Sequence, residues 1–168
     1  MIFMSQCGMT DSAREQAWDA WYVEHLRIML TVPGVGSAQR FKAVTAGYPP
    51  SLAMYSIASA DVFQDPYYQS VRGLGEWLPL VEKKHYRRNL FEGLEAAPDV
   101  GEDCLLLVAD RAAPESATAG VEFSWLKTVG LDRSTPYRGI AVVGRAVGLG
   151  TGGAFGIYRP VTARHRPR

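Results

Sequence analysis

The side chains best suited to chemistry in this 168-residue chain lie between Trp18 and Phe41. His25 is the only histidine within a strongly patterned segment, and an imidazole can accept or release a proton near neutral pH. Tyr22 lies one helical turn away, where its phenol can orient that imidazole or polarise a carbonyl group. Arg40 follows on the next predicted strand and can hold a carboxylate. This set predicts proton transfer on a small acid, with His25 as general acid or base.

An amphipathic helix over residues 12–32 is predicted to position His25 and Tyr22. Its bulky side chains recur at steps of three and four residues and so form one stripe. The stripe consists of Trp18, Trp21, Tyr22, His25, Ile28, Met29 and Val32. Ser12 begins a capping box, and Pro33 with Gly34 ends the helix. The stripe predicts docking on one side only, which leaves packing as the alternative role for His25 and Tyr22.

Arg40 belongs to a strand predicted over residues 36–45. Side chains alternate along a strand, so Arg40 faces the cavity of the sheet if Phe41 packs under the helix. A buried arginine needs a partner. That partner is either a substrate carboxylate or a carboxylate of the chain itself, with Glu92 and Asp61 as candidates.

Two further aromatic residues, Trp18 and Tyr55, are predicted to contact the substrate. Tyr55 lies on a strand predicted over residues 51–58, where it shares a face with apolar side chains. Packing in the core is therefore the alternative role for this tyrosine. For Trp18, the alternative is packing within the stripe of the helix.

Two other patterns carry less weight. Residues 83–88 surround His85 with basic side chains, and a solvated strand edge is favoured there over an anion site. Residues 148–153 read GLGTGG, which satisfies a dinucleotide-binding pattern but precedes no helix, so a hairpin tip is favoured. Zinc, Walker and serine-nucleophile motifs do not occur in the sequence. We therefore expect neither a metal nor a cofactor.

Composition predicts a single soluble globular unit that binds a small molecule. Hydrophobic residues make up 47% of the chain, and Lys plus Arg exceed Asp plus Glu by only 18 to 17. This balance argues against nucleic acid and against an anionic membrane as partners. Cys7 and Cys104 fall on separate predicted strands, and the first residues lack the features of a signal peptide. A cytoplasmic location without membrane segments is the expectation.

The order of predicted elements in residues 1–100 is β-α-β-β-α-β, which is ferredoxin-like. The elements are strand 2–8, helix 12–32, strand 36–45, strand 51–58, helix 60–72 and strand 85–94. In this fold both helices cover one face of a four-stranded sheet. The other face is apolar and needs a cover.

Residues 101–168 are predicted to be a truncated second repeat that supplies this cover. Its elements are a strand from 104, a helix over 117–129, and strands 138–147 and 154–160. The two halves align at an offset of 103 residues, and the second copy stops after its third strand. The predicted fold class is therefore α+β, a pseudo-dimeric α/β barrel of two ferredoxin-like repeats. The missing fourth strand leaves an open edge, which predicts a homodimer.

The longest recognisable pattern in the chain reads WYVEHLRIMLTVPGVGSAQRF and is followed by PPSLAMYSIASADVFQDPYYQ. It resembles the EthD-like branch of the dimeric α/β-barrel superfamily, in which helix, histidine, Pro-Gly stop and Arg-Phe strand keep a fixed register. The resemblance covers about residues 3–95. It departs from the family at Arg27, where members commonly carry proline. The resemblance implies a barrel of two ferredoxin-like sheets and a role for His25, without specifying the reaction.

Three functions follow from these expectations. The first is a small cofactor-independent isomerase, lyase or cyclase that acts on an aromatic-derived or polyketide-like acid in the barrel cavity. The second is a non-catalytic carrier or interaction module of the same fold. The third is a heme-binding or heme-degrading protein, which requires His25 or His85 as an axial ligand.

Overall fold

Eight segments with alternating side chains pair edge to edge into one closed antiparallel barrel within residues 1–146 and 154–168, which the computed structural model describes. The strands are β1 (Ile2–Cys7), β2 (Val35–Ala43), β3 (Ser51–Ile57), β4 (Arg87–Glu92), β5 (Cys104–Arg111), β6 (Ser124–Leu131), β7 (Tyr137–Gly144) and β8 (Gly156–Pro160). Their order around the barrel is β1-β3-β2-β8-β5-β7-β6-β4, and β4 pairs with β1 to close it.

The helices of the described chain all precede β4. They are α1 (Glu15–Met29), α2 (Pro66–Val71) and three 3-10 helices, Ser12–Arg14, Ala60–Gln64 and Gly75–Leu80. The Asp65 carboxylate accepts a hydrogen bond from the Tyr68 backbone N–H at 2.9 Å and so caps α2. Pro66 occupies its first position, where no N–H is needed. These helices therefore cover only the outer face of β1 to β4.

Two layers of buried side chains lie on either side of the barrel wall. The inner layer fills the barrel with apolar groups such as Ile2, Met4, Phe41, Leu106 and Tyr158. An eight-stranded barrel is just wide enough to be filled in this way. The outer layer lies between α1 and the sheet. The barrel interior is therefore packed with side chains.

A β-bulge between Val35 and Ser37 decides which side chains of β2 face the helix. Val35 packs in the outer layer, and counting from it in twos would place Phe41 under α1. The bulge shifts this alternation by one residue. Phe41 therefore points into the barrel, and Arg40 lies under the helix, the reverse of the predicted orientation.

The predicted fold class, a ferredoxin-like α/β barrel with helices packed on a sheet, is wrong. The molecule is dominated by the sheet of a closed eight-stranded barrel. The helix predicted over residues 117–129 is absent, and β6 lies there instead. Trp125, Thr128 and Val129 are aromatic and β-branched, types that favour a strand. The same finding overturns the expectation of a dimeric α/β barrel.

The predicted truncation of the second half is also wrong. β6 gives residues 101–168 a fourth strand, and it pairs with β4 along Asn89–Glu92. The open edge that motivated a homodimer is therefore closed by the chain itself. Association into a homodimer stays a prediction, but an open edge no longer supports it.

Several predicted boundaries hold with small changes. The helix over 12–32 is a 3-10 turn followed by α1, and the strand over 138–147 is β7 at Tyr137–Gly144. The GLGTGG stretch at 148–153 lies outside the described residues. Among the helices that the structure describes, none combines the length and the apolar character required to cross a bilayer.

Candidate functional site

A cavity of about 450 Å³ lies outside the barrel wall, between α1, the outer face of β1, β3 and β4, and the segment over residues 68–86. Its volume is in the range of small-molecule sites. The polar side chains that line it are Ser5, Tyr22, His25, Tyr55, Tyr68, Gln69, Arg72, Tyr86 and Arg88. Apolar contacts come from residues that include Phe3, Met29 and Leu74. This cavity is the candidate functional site.

His25 reaches the cavity from the buried stripe of α1. Its ring stacks on Trp21 at 4.8 Å between centroids and meets the Tyr22 ring edge-on at 5.8 Å. Only 9% of the residue is exposed, and burial lowers the pKa of the imidazole to about 4. The imidazole is therefore neutral at pH 7. It forms no hydrogen bond within the described part of the chain, so its unprotonated nitrogen is free to accept a proton.

Two buried tyrosines face the same cavity. Tyr22 on α1 and Tyr55 on β3 are each 2% exposed, and the Tyr55 ring stacks on Phe3 at 5.2 Å. Burial raises the pKa of Tyr22 and raises that of Tyr55 well above its usual value. For Tyr22, the nearby Arg40 and Ser5 oppose this rise without overcoming it. Both phenols are therefore protonated at pH 7 and can act as hydrogen-bond donors.

Two arginines and two tyrosines form what we call the basic group, which consists of Arg72, Arg88, Tyr68 and Tyr86. Burial raises the pKa of both tyrosines, and both arginines act on each of them in the opposite direction. Arg88 is 33% exposed in its side chain. One of its terminal nitrogens lies 3.8 Å from Asp132, and its Nε is buried without a hydrogen-bond partner.

Arg40 is not among the residues that line the cavity. It is 1% exposed and forms an ion pair with the Asp19 carboxylate at 2.7 Å, with its guanidinium 4.6 Å from the centroid of the Tyr22 ring. Lys42 pairs with the same carboxylate at 2.6 Å. Burial acts to raise the pKa of Asp19, but the hydrogen bonds from Lys42 and Arg40 outweigh it and the pKa is lowered. Arg40 therefore joins α1 to β2, and neither Glu92 nor Asp61 is its partner.

The structure brings together three of the five residues predicted from the sequence. His25, Tyr22 and Tyr55 line the cavity, whereas Arg40 and Trp18 do not. Trp18 is 1% exposed and packs between the rings of neighbouring aromatic residues. His85 also lies away from the cavity and contacts Glu82 at 3.6 Å.

Sequence reasoning missed the basic group. The signal for Tyr68 and Arg72 was the pair Asp65 and Pro66, a strong helix start. This helix start divides the predicted helix over 60–72 into a 3-10 helix that ends at Gln64 and the short α2, which has its own exposed and buried faces. The basic run over residues 83–88 predicts a solvated edge for Arg88, but its alternation with Leu90 places both side chains on the outer face of β4.

Within the described residues, no group of three or more acidic, histidine or cysteine side chains is arranged to hold a metal ion. No protein-family model matches the chain, and no curated protein or solved structure is significantly similar to it. The EthD-like resemblance stays a prediction from the motif. The function must be argued from the cavity itself.

Proposed function

We propose that this chain is a small cofactor-independent enzyme, an isomerase, lyase or cyclase, that moves a proton on an aromatic acid bound in the cavity. The observation that carries the proposal is His25, a neutral and buried imidazole on the cavity wall with no hydrogen bond to the described residues. Its lone pair is therefore not committed to the fold. A group in this state is available as a general base at every pH above its pKa.

The lowered pKa of His25 defines which protons it can remove. A base with a pKa near 4 matches the carboxylate bases that isomerases use for C–H bonds next to a carbonyl group. Such a step leaves negative charge on the carbonyl oxygen. Tyr22 and Tyr55 are protonated and line the same cavity, where Tyr55 pairs with Tyr22 and Tyr22 with Ser5. A tyrosine hydroxyl that exchanges this protein partner for the substrate can donate a hydrogen bond to that oxygen. Return of the proton from His25 to a second carbon completes an isomerisation.

Solvent exchange tests this proposal without knowledge of the natural substrate. Aromatic 2-oxo acids and arylacetates are incubated with the protein in D2O, and NMR follows loss of the C–H signal next to the carbonyl or carboxyl group. We expect exchange with at least one compound to exceed that in buffer. His25→Ala should reduce the rate by about 10² or more, as for loss of a general base. His85→Ala is the matched control, because His85 lies outside the cavity.

A change below about threefold in His25→Ala would refute the catalytic role. The second candidate function, a carrier of aromatic compounds, is favoured by one observation. A catalytic base is usually oriented by a third group, and no described residue makes a hydrogen bond to His25. Saturable binding of the same compounds with no exchange in the wild-type protein would support the carrier.

A further inference from the structure

We infer that the basic group holds the carboxylate of a one-ring aromatic acid, and that the ring extends from there toward His25. This inference rests on the proposed function for the location of the site and names the class of compound that the site takes. It replaces Arg40, the residue expected to hold the carboxylate, with Arg72 and Arg88.

The charge of the cavity wall is the first argument. Arg72 and Arg88 are its two ionised side chains, and no described residue that lines it is acidic. Arg72 is exposed and has no ion pair within the described chain. Arg88 has only the distant Asp132 carboxylate, at 3.8 Å, and a buried Nε without a partner. The wall therefore carries one arginine without an ion pair and a second whose Nε is unused, and the carboxylate of a ligand can pair with both.

The positions of the charges give the second argument. Both arginines act electrostatically on Tyr68 and on Tyr86, so these four side chains lie together. His25 reaches the cavity from α1, whereas Arg72 follows α2 and Arg88 lies on β4. The cavity is therefore polarised, with cations in one part and a neutral base in another. A ligand with its charge on one side and its reacting carbon on the other fits this arrangement.

The aromatic and apolar part of the cavity wall favours an aromatic ring. Phe3 stacks on Tyr55, and Tyr22 and Met29 line the cavity beside them. Flat aromatic faces bind another ring by offset or edge-to-face contact. A volume of about 450 Å³ accommodates one substituted ring with a short acidic side chain.

The test compares acids with their uncharged isosteres. Isothermal titration calorimetry measures binding of benzoate, 4-hydroxybenzoate, phenylacetate and 4-hydroxyphenylacetate, and of the primary amide of each, to the full chain. We expect at least one carboxylate to bind at least tenfold more tightly than its amide. Its affinity should fall as salt is raised, because the interaction is between charges.

Arg72→Gln is the informative variant, since Arg72 is exposed and its loss should leave the fold intact. It should weaken binding of the carboxylate at least fivefold and leave binding of the amide unchanged. Arg27→Gln is the matched control, because Arg27 is exposed on α1 and does not line this cavity. Its affinities should stay within twofold of those of the wild-type protein.

Equal affinity for acid and amide, an unchanged carboxylate affinity in Arg72→Gln, or no saturable binding of any acid below about 10 mM would each overturn the inference. Failure of the proposed function gives a different result. Carboxylates would then bind through Arg72, but the wild-type protein would catalyse no exchange in D2O.

Discussion

The two halves of the barrel have the same internal strand order and very different outer faces. In each half the first strand lies between the third and the fourth, giving β4-β1-β3-β2 and β8-β5-β7-β6. The outer face of the first half lies beneath α1 and the helical segment over 60–86. The outer face of the second half is covered by the loop over 112–123, which brings Phe123 onto Leu107 and Phe155. One wall thus has a thick cover and the other a thin one.

The thickness of the cover decides where a ligand site can form. A helix and a second segment above a sheet cannot fill every gap, and the gap left here becomes a cavity with polar side chains from both layers. A single loop lies directly on the sheet. It is fastened by Arg111, which contacts Glu115 at 3.0 Å, and by the Trp125 indole, which donates to the Glu115 carbonyl oxygen at 2.8 Å. The same sheet order therefore supports a site on one side and a plain structural wall on the other.

The largest expected effect compares the two covers directly. Trp18 is 1% exposed beneath the thick cover, whereas Phe123 is half-buried in the thin one. Trp18→Ala should lower the free energy of unfolding by about 4 kcal/mol, because it removes a fully buried ring and leaves a void. Phe123→Ala should cost about 1–2 kcal/mol. Urea unfolding with a common m-value measures both, and equal losses would show that the covers contribute alike.

The second prediction compares two buried arginines. Arg40 joins α1 to the barrel through Asp19, while Arg138 lies inside the barrel and donates to Asp110 at 2.7 and 2.8 Å. Replacing either by Ala should cost about 2–3 kcal/mol, because it removes a fully buried and packed side chain, while the carboxylates left behind are 35% and 45% exposed. The two variants should differ in function. Arg40→Ala loosens α1 and should weaken ligand binding in the cavity, as measured by calorimetry on the folded fraction.

Arg138→Ala serves as the control for that experiment. Its guanidinium contacts the Phe91 ring and the Met4 sulfur inside the barrel, and it does not line the cavity. Ligand affinity should therefore stay within twofold of the wild-type value. A larger loss of affinity in Arg138→Ala than in Arg40→Ala would mean that the cavity depends on the barrel wall rather than on the attachment of the helix.

The third prediction concerns pH and the thick cover alone. The pKa of His25 is about 4 in the folded protein and near 6.5 when unfolded, so the unfolded state takes up the proton first as pH falls. The stability that His25 contributes is therefore complete above about pH 6.5 and is lost progressively toward pH 4. Between pH 7.5 and 4.5 the wild-type protein should lose about 2–3 kcal/mol more than His25→Gln. Urea unfolding at each pH gives this difference.

Carboxylates with lowered pKa values, such as Asp19, also lose stability in acid, so the difference between variants is the quantity that matters. Parallel curves for the wild-type protein and His25→Gln would show that the imidazole is charged in the fold or exposed to water. Either result would remove the main support for His25 as a neutral base.

How far the sequence could predict this molecule differs between the two halves. In the first half, the stripe from Trp18 to Met29 and the Pro33 stop predicted α1 and its buried face. Bulky side chains at steps of three and four residues indicate an amphipathic helix and no other element. Ile28 was also placed in that stripe and is 38% exposed, since the stripe is narrower than its apolar residues suggest. The local sequence pattern was sufficient to predict a structure that lies within a single element.

Prediction failed where the structure depends on contacts distant in the sequence. The presumed repeat predicts a helix over residues 117–129, whereas β6 lies there and is held by pairing with β4 and β7. Closure of the barrel decides which face of each strand is inside, and a single bulge in β2 reverses Arg40 and Phe41. The basic group of the cavity comes from α2 and β4, which no local pattern brings together. Of the site, the sequence therefore predicted the part on α1 and Tyr55.

The smallest expected effect tests whether the exposed face of α1 matters to the cover. Arg27 and Glu24 form an ion pair at 2.9 Å, with side chains 62% and 60% exposed. Water and salt screen such a pair, so Arg27→Ala should change the free energy of unfolding by about 0.5 kcal/mol or less. Urea unfolding at low and at high salt measures it. A loss above about 1 kcal/mol would mean that α1 is stabilised by its own surface, and the large effect expected for Trp18→Ala could then not be assigned to docking on the barrel.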